Sequence, residues 1–192
     1  MMPINLVSKG WCVFGLRGSG KSELVKQILS TTRDHMVYDP LDEHEGRDRY
    51  VPTDRESVTE LDEFIRGIVI PRKPALCVID EANKYIQPKP TRLPPGVADL
   101  NDFARHWGIS CGYVARRPVQ FHTDIVELAN FAFFFHLPGK NDYAYMEGIY
   151  QGLGDQVRAL EKYHFVILEE GQSMTVHSPV DISTKPVQNS LH

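Results

Sequence analysis

The sequence predicts a three-layer α/β fold, with a mostly parallel central sheet, helices on both faces and a closing C-terminal β-hairpin. Three observations carry this expectation. Short apolar runs alternate with helical patterns from residue 10 to about residue 161. The chain has 192 residues, 42% of them hydrophobic, which suits one domain with a sizeable core. Beyond residue 161 the alternation stops, and two strand-like runs flank a short polar turn.

The elements follow in order. Trp11-Cys12-Val13-Phe14 places a strand at 10–14, and the helix-prone run Glu23-Leu24-Val25-Lys26-Gln27-Ile28-Leu29 places a helix at 21–31. Further apolar runs predict strands at 35–39, 75–80, 109–115 and 131–136. Helical patterns predict helices at 56–68, 97–106, 122–129 and 141–161, the last broken at Gly152 and Gly154. Phe165-Val166-Ile167-Leu168 and Met174-Thr175-Val176-His177 flank Glu169-Glu170-Gly171-Gln172 and read as the hairpin. The segment from Gln87 to Gly96 holds four of the thirteen prolines and reads as an exposed loop projecting from the domain. Residues 1–178 are therefore read as one domain. Residues 179–192, polar with two prolines, are read as a flexible tail.

Composition excludes several classes. A net charge of −4 provides no global basic field for coating nucleic acid, although a motor touching DNA through a few loops is compatible with it. Cys12, Cys77 and Cys111 lie in apolar runs without C-x-x-C spacing, which predicts buried free thiols in a reducing compartment. The eight histidines show no metal-ligand spacing. No run approaches the ~20 apolar residues of a membrane span, and no signal-like stretch opens the chain, so a cytoplasmic protein is expected. Phe131–Phe135 reads as a buried strand rather than a base-stacking platform.

Gly15-Leu16-Arg17-Gly18-Ser19-Gly20-Lys21-Ser22 fits G-x-x-x-x-G-K-[ST], the phosphate-binding P-loop, in its required strand–loop–helix context. A chance match in a chain of this length has odds on the order of 1% at average composition. The loop amides of Gly15, Arg17, Gly18, Ser19 and Gly20, with the helix N-terminus at Lys21, Ser22 and Glu23, form the expected ATP-phosphate cradle. In this reading Lys21 reaches the β- and γ-phosphates and the Ser22 hydroxyl ligates Mg²⁺. The competing reading is a plain glycine turn between strand and helix.

Ala75-Leu76-Cys77-Val78-Ile79-Asp80-Glu81 is an apolar strand ending in two acids. Asp80 at the strand's C-terminal end holds Mg²⁺ through water, and Glu81 orients or deprotonates a water aimed at the γ-phosphate. Taken alone, the pair reads equally as a helix cap with a first-turn acid. The glutamate, with an extra strand supplied by 109–115 between the P-loop strand and the Asp strand, argues for hydrolysis rather than transfer to a substrate hydroxyl. The fold class is thus a P-loop NTPase of the RecA-like, additional-strand kind.

Four places now carry a family resemblance: Gly15–Ser22; Val37-Tyr38-Asp39-Pro40-Leu41-Asp42-Glu43; Asp80-Glu81-Ala82; and Ala104-Arg105-His106-Trp107-Gly108 leading to Arg116-Arg117-Pro118. Over roughly residues 10–140 the chain resembles the FtsK/HerA group of P-loop ATPases. Within that group it is most similar to the short genome-packaging ATPases of tailless, membrane-containing viruses. The resemblance implies ATP hydrolysis with Mg²⁺, translocation of double-stranded DNA into a capsid, and a ring homo-oligomer, a hexamer by family expectation. It also implies capsid-vertex or membrane-protein partners and residence in the host cytoplasm or virion.

It implies Arg105 as an arginine finger acting in trans and Arg116 as the γ-phosphate sensor, with Arg117 as an alternative trans-acting arginine. The family's usual Gln is replaced by Arg116, and a guanidinium cannot orient water as an amide does. Arg117 reads equally as a residue holding the following loop. Asp39 and Glu43 read as lining the site, and Asp39-Pro40 equally as a simple strand cap. Alternatives in function are a related ATPase in phage assembly, conjugation or DNA processing, a P-loop kinase of a small acceptor, and an ATP-gated scaffold.

Overall fold

The computed structural model describes residues 5–46 and 48–179. Eight strands form one sheet: β1 (Gly10–Phe14), β2 (His35–Tyr38), β3 (Arg49–Tyr50), β4 (Leu76–Ile79), β5 (Ser110–Ala115), β6 (Phe131–Phe135), β7 (Phe165–Glu169) and β8 (Ser173–His177). Their order is β3-β2-β4-β5-β1-β6-β7-β8. All pairs from β3 to β6 are parallel, and the β6–β7 and β7–β8 pairs are antiparallel. β5 lies between β1 and β4, as the additional-strand reading requires.

The helices are α1 (Lys21–Leu29), α2 (Val58–Phe64), α3 (Ile70–Arg72), α4 (Pro95–Trp107), α5 (Thr123–Leu128), α6 (Lys140–Ile149) and α7 (Leu153–Ala159). The interior strands read as unbroken apolar runs because both of their faces are covered. Trp11 and Val13 of β1 pack on the α1 side with Leu24, Val25, Ile28 and Leu29. Cys12 and Phe14 face the opposite side, where α2, α4, α5, α6 and α7 contribute Leu61, Leu100, Ile125, Met146 and Val157. Among the described residues α1 is the helix that covers its face, and it leaves an apolar cavity of about 700 Å³ between Leu24, Ile28, Phe133, Phe165 and Ile167. Among the described residues no Asp, Glu, Lys or Arg lines this cavity.

Several expectations are corrected. β3 is a two-residue edge strand with no apolar run to announce it. The helix expected at 56–68 runs on to Arg72 through a π-helical turn, Ile65–Val69. Pro71 has no N–H for the carbonyl of Gly67, and Ile70 N–H instead bonds back to the carbonyl of Ile65. The proline-rich segment is exposed at Gln87, Lys89, Pro90, Thr91 and Arg92, as expected, but it is tied back to the domain. His122 Nε2 lies 3.0 Å from the Thr91 carbonyl, Lys89 pairs with Asp124, and Pro94 is buried. Its end is helical, because Pro95 occupies the first turn of α4, where a missing N–H costs nothing. Cys12, Cys77 and Cys111 are free and buried, and burial pushes the Cys77 thiol up to about 12. The expected tail, apart from Pro179, lies outside the described residues.

Candidate functional site

β1 is central and ends at Phe14, so the loop after it opens at the C-terminal edge of the sheet, between the ends of β5 and β6. The glycines of Gly15–Ser22 are sterically required. Gly20 has φ 107°, a left-handed conformation, and serves as the N-cap of α1. A Cβ on Gly15 would stand 2.5 Å from Ser19 Oγ and 2.8 Å from Phe135 Cβ. Lys21 Nζ donates to the Leu16 carbonyl at 3.2 Å, spanning the loop it is expected to share with phosphate. Burial holds the Lys21 pKa below its ordinary value, against the opposing charges of Glu81 and Asp80. A dianionic phosphate would add to the counter-charge that Glu81 and Asp80 already provide.

A cavity of about 560 Å³ joins the predicted residues: Gly18, Lys21 and Ser22 of the P-loop, Glu81 after β4, and Arg116 after β5. Arg17, Gly20 and Glu23 line it too. Glu81 sits at φ 47°, a strained left-handed position for a residue with a side chain, of a kind that clusters at functional sites. Its N–H donates to Asp80 Oδ1 at 2.7 Å, which fixes the turn that aims its side chain. The guanidinium of Arg116 holds Glu81 Oε2, with Nε at 3.1 Å and a terminal nitrogen at 3.0 Å. The Arg116 N–H is in turn held by Asn83 Oδ1 at 3.3 Å.

Asp80 is buried, and its second oxygen lies 2.9 Å from His44 Nε2. Burial alone would lower the His44 pKa. The hydrogen bond and charge of Asp80, helped by Asp39, outweigh burial and raise it. Ligand atoms of Asp39, His44 and Asp80 lie within 4.8 Å of one another. Asp39 is nevertheless saturated, accepting the N–H groups of Glu43 at 3.1 Å and His44 at 2.8 Å, with Arg49 at 3.7 Å. It caps the loop after β2, the plainer of its two readings. Ser22 and Asp80, the two residues expected to hold a metal, each offer an oxygen donor, the kind of ligand that suits a hydrated Mg²⁺. His44, missed in the sequence, orients that carboxylate from behind. A histidine five residues after the Asp39-Pro40 turn was its one available trace.

Two arginines part company with the site. Arg117 pairs with the buried Asp142 of α6 at 2.8 and 2.9 Å, so it holds the loop after β5. Arg105 is exposed near the end of α4 and lines a cavity with Ser8, Gly10 and Asn130, at the N-terminal edge of β1. That is the sheet edge opposite the P-loop, so Arg105 is not brought to its own chain's site.

No protein-family model matches the chain, and no curated protein matches it in sequence. Solved structures do. The genome packaging NTPase B204 of Sulfolobus turreted icosahedral virus 2, in complex with ATPγS, superposes with a TM-score of 0.79 at 16% identity, covering 92% of this chain and all of that one. The fold is that of the P-loop ATPases. B204, the DNA-packaging ATPase from Sulfolobus turreted icosahedral virus, gives 0.77 at 18% identity over 91% of this chain and 98% of its own. The N-terminal domain of the zonular occludens toxin from Neisseria meningitidis gives 0.57 at 13% identity over 90% and 95%. These neighbours bear out the P-loop ATPase resemblance and the mostly parallel sheet with its antiparallel end.

Proposed function

We propose that this chain is an ATP-hydrolysing translocase that drives double-stranded DNA into a viral capsid. The observation that carries the reading is one cavity holding the P-loop, Glu81 and Arg116 together, with β5 inserted between β1 and β4. The likeness to packaging NTPases in complex with ATP analogues supports it. Lys21 and the loop amides bind the phosphates. Ser22 and Asp80 would hold Mg²⁺, which would supply neutralisation of phosphate charge.

Glu81 accepts a proton from the attacking water. In the resting arrangement it is occupied by Arg116, which must let go first. The guanidinium is half-exposed, so a γ-phosphate can compete for it from the cavity. Arg105, remote from its own site, acts on the next subunit's nucleotide. A contact of that kind is head-to-tail and closes into a ring, taken as a hexamer. Residues 1–178 form the motor domain. Among the described residues no helix is long and apolar enough to cross a membrane.

The test is ATP hydrolysis with and without double-stranded DNA, over a range of protein concentration. DNA stimulation and a cooperative rise in specific activity are expected. Glu81→Gln is expected to bind ATP without turning it over. Hydrolysis at the wild-type rate by Glu81→Gln would remove its role, and the absence of DNA stimulation at every concentration would remove the translocase reading.

A further inference from the structure

The cavity that Arg105 lines, of about 340 Å³, lies between β5, α4 and α5. Among the described residues it shares no lining residue with the phosphate cavity, and it lies at the opposite edge of the sheet. Ile109, just before β5, and then Cys111 and Tyr113 line it at every second residue, so side chains on one face of the strand enclose it. Leu100 and Ala104 of α4 and Ile125 of α5 cover that face. The volume falls within the ~300–1,000 Å³ usual for small-molecule pockets.

Tyr113 makes this space a site rather than a packing gap. It is 2% exposed, and its hydroxyl has no hydrogen-bond partner among the described residues. Buried polar groups in folded proteins are bonded in the great majority, because an unpaired one keeps its full desolvation penalty. Tyr113 packs in one cluster with Leu100, Ala104, Ile109 and Ile125, so its side chain is turned toward the space those residues line. Burial raises its pKa well above the ordinary tyrosine value, so the hydroxyl keeps its proton and can donate.

The remaining lining sets the character of a ligand. The walls beside Tyr113 are aliphatic, which favours an apolar body. Arg105 and Asp102, both exposed and both from α4, bring opposite charges to the lining, so neither sign of charge is favoured. We propose that this cavity is a ligand site, separate from the phosphate site, for a small uncharged molecule with an apolar body and one oxygen acceptor, which takes the Tyr113 hydroxyl proton in a hydrogen bond. The site is independent of ATP hydrolysis and stands or falls without it.

The experiment is a methyl NMR titration of the full chain with acetophenone, a ring carrying one carbonyl acceptor, and with ethylbenzene, a similar shape without it. Both are titrated into the wild type and Tyr113→Phe. In the wild type, acetophenone should give saturable shifts at Leu100, Ile109 and Ile125. Tyr113→Phe should weaken acetophenone by about 2- to 12-fold, the range one neutral hydrogen bond supplies. The same variant should leave ethylbenzene unchanged or bind it more tightly. Its ligand-free thermal midpoint should hold or rise, because the hydroxyl removed had no partner. No saturable shift at those three residues, or shifts confined to Ile28 and Ile167 of the larger apolar cavity, overturns the site. An equal effect of Tyr113→Phe on both probes, or none on acetophenone, overturns the role of the hydroxyl. A lowered midpoint in Tyr113→Phe shows that the hydroxyl is already bonded within the chain, and that too overturns the proposal.

Discussion

Gly112→Ala tests whether the register of the P-loop strand is set by packing. Gly112 of β5 lies directly beside Trp11 of β1. A methyl group there would stand 2.1, 2.3 and 2.5 Å from three atoms of the Trp11 indole, well inside the 3.4 Å at which ordinary contact begins. The indole cannot swing aside, since Trp11 is fully buried and meets Phe133 edge-to-face at 6.3 Å. Overpacking of this kind costs about 1–3 kcal/mol when neighbours can adjust. Here the clash involves a rigid ring, which places the cost at the upper end, about 3 kcal/mol. For a chain of this size that lowers the thermal midpoint by roughly 6–12 °C. The assay is thermal or urea unfolding followed by circular dichroism, in a double-mutant cycle with Trp11→Phe. The smaller ring should absorb the methyl, giving a coupling of at least about 1 kcal/mol. A Gly112→Ala variant within about 0.5 kcal/mol of wild type, or strict additivity with Trp11→Phe, would refute the reasoning.

Three further outcomes follow from the site and its supports. Lys21→Ala should lose ATP binding in calorimetry while its nucleotide-free thermal midpoint holds or rises, because the ammonium removed is one that burial disfavours. Mixing Glu81→Gln and Arg105→Ala subunits, each inactive alone, should restore hydrolysis, since some interfaces then pair an intact site with an intact arginine; a dead mixture counts against action in trans. Glu147 accepts the N–H groups of Gly152, Gly154 and Asp155 at 2.9, 2.8 and 3.3 Å, and the Gly152 bond leads in holding its carboxyl below the ordinary range. A depressed carboxyl adds stability above its unfolded pKa near 4.5, and that stability is lost as pH falls through the lower folded value. Glu147→Gln should therefore flatten the decline of the urea midpoint between pH 5 and pH 3, and an unchanged slope would refute the linkage.

The site was legible in the sequence where chemistry and backbone are set by neighbouring residues. A P-loop is one stretch whose glycines, lysine and serine act together, and its flanking strand and helix are written beside it. Asp80-Glu81 was legible because a buried parallel strand of four apolar residues ends on them. β3 was not, because a two-residue edge strand, Arg49–Tyr50, needs no apolar run. The proline-rich segment was legible as an exposed loop, but its ties to the domain were not, because nothing local announces that Thr91 and Lys89 find His122 and Asp124.

By itself, then, the sequence determined the phosphate loop, the Asp80-Glu81 pair, the free thiols and the alternation that makes a parallel sheet, since each depends on local periodicity or on contiguous residue types. Only the tertiary structure decided which side chains meet. It put Arg116 on Glu81, His44 behind Asp80 and Tyr163 beside the P-loop, and it left Arg105 at the far edge. Those pairings join residues 35, 36 and more than 140 positions apart, and it is the strand order β4-β5-β1-β6-β7 that brings their loops to one end of the sheet.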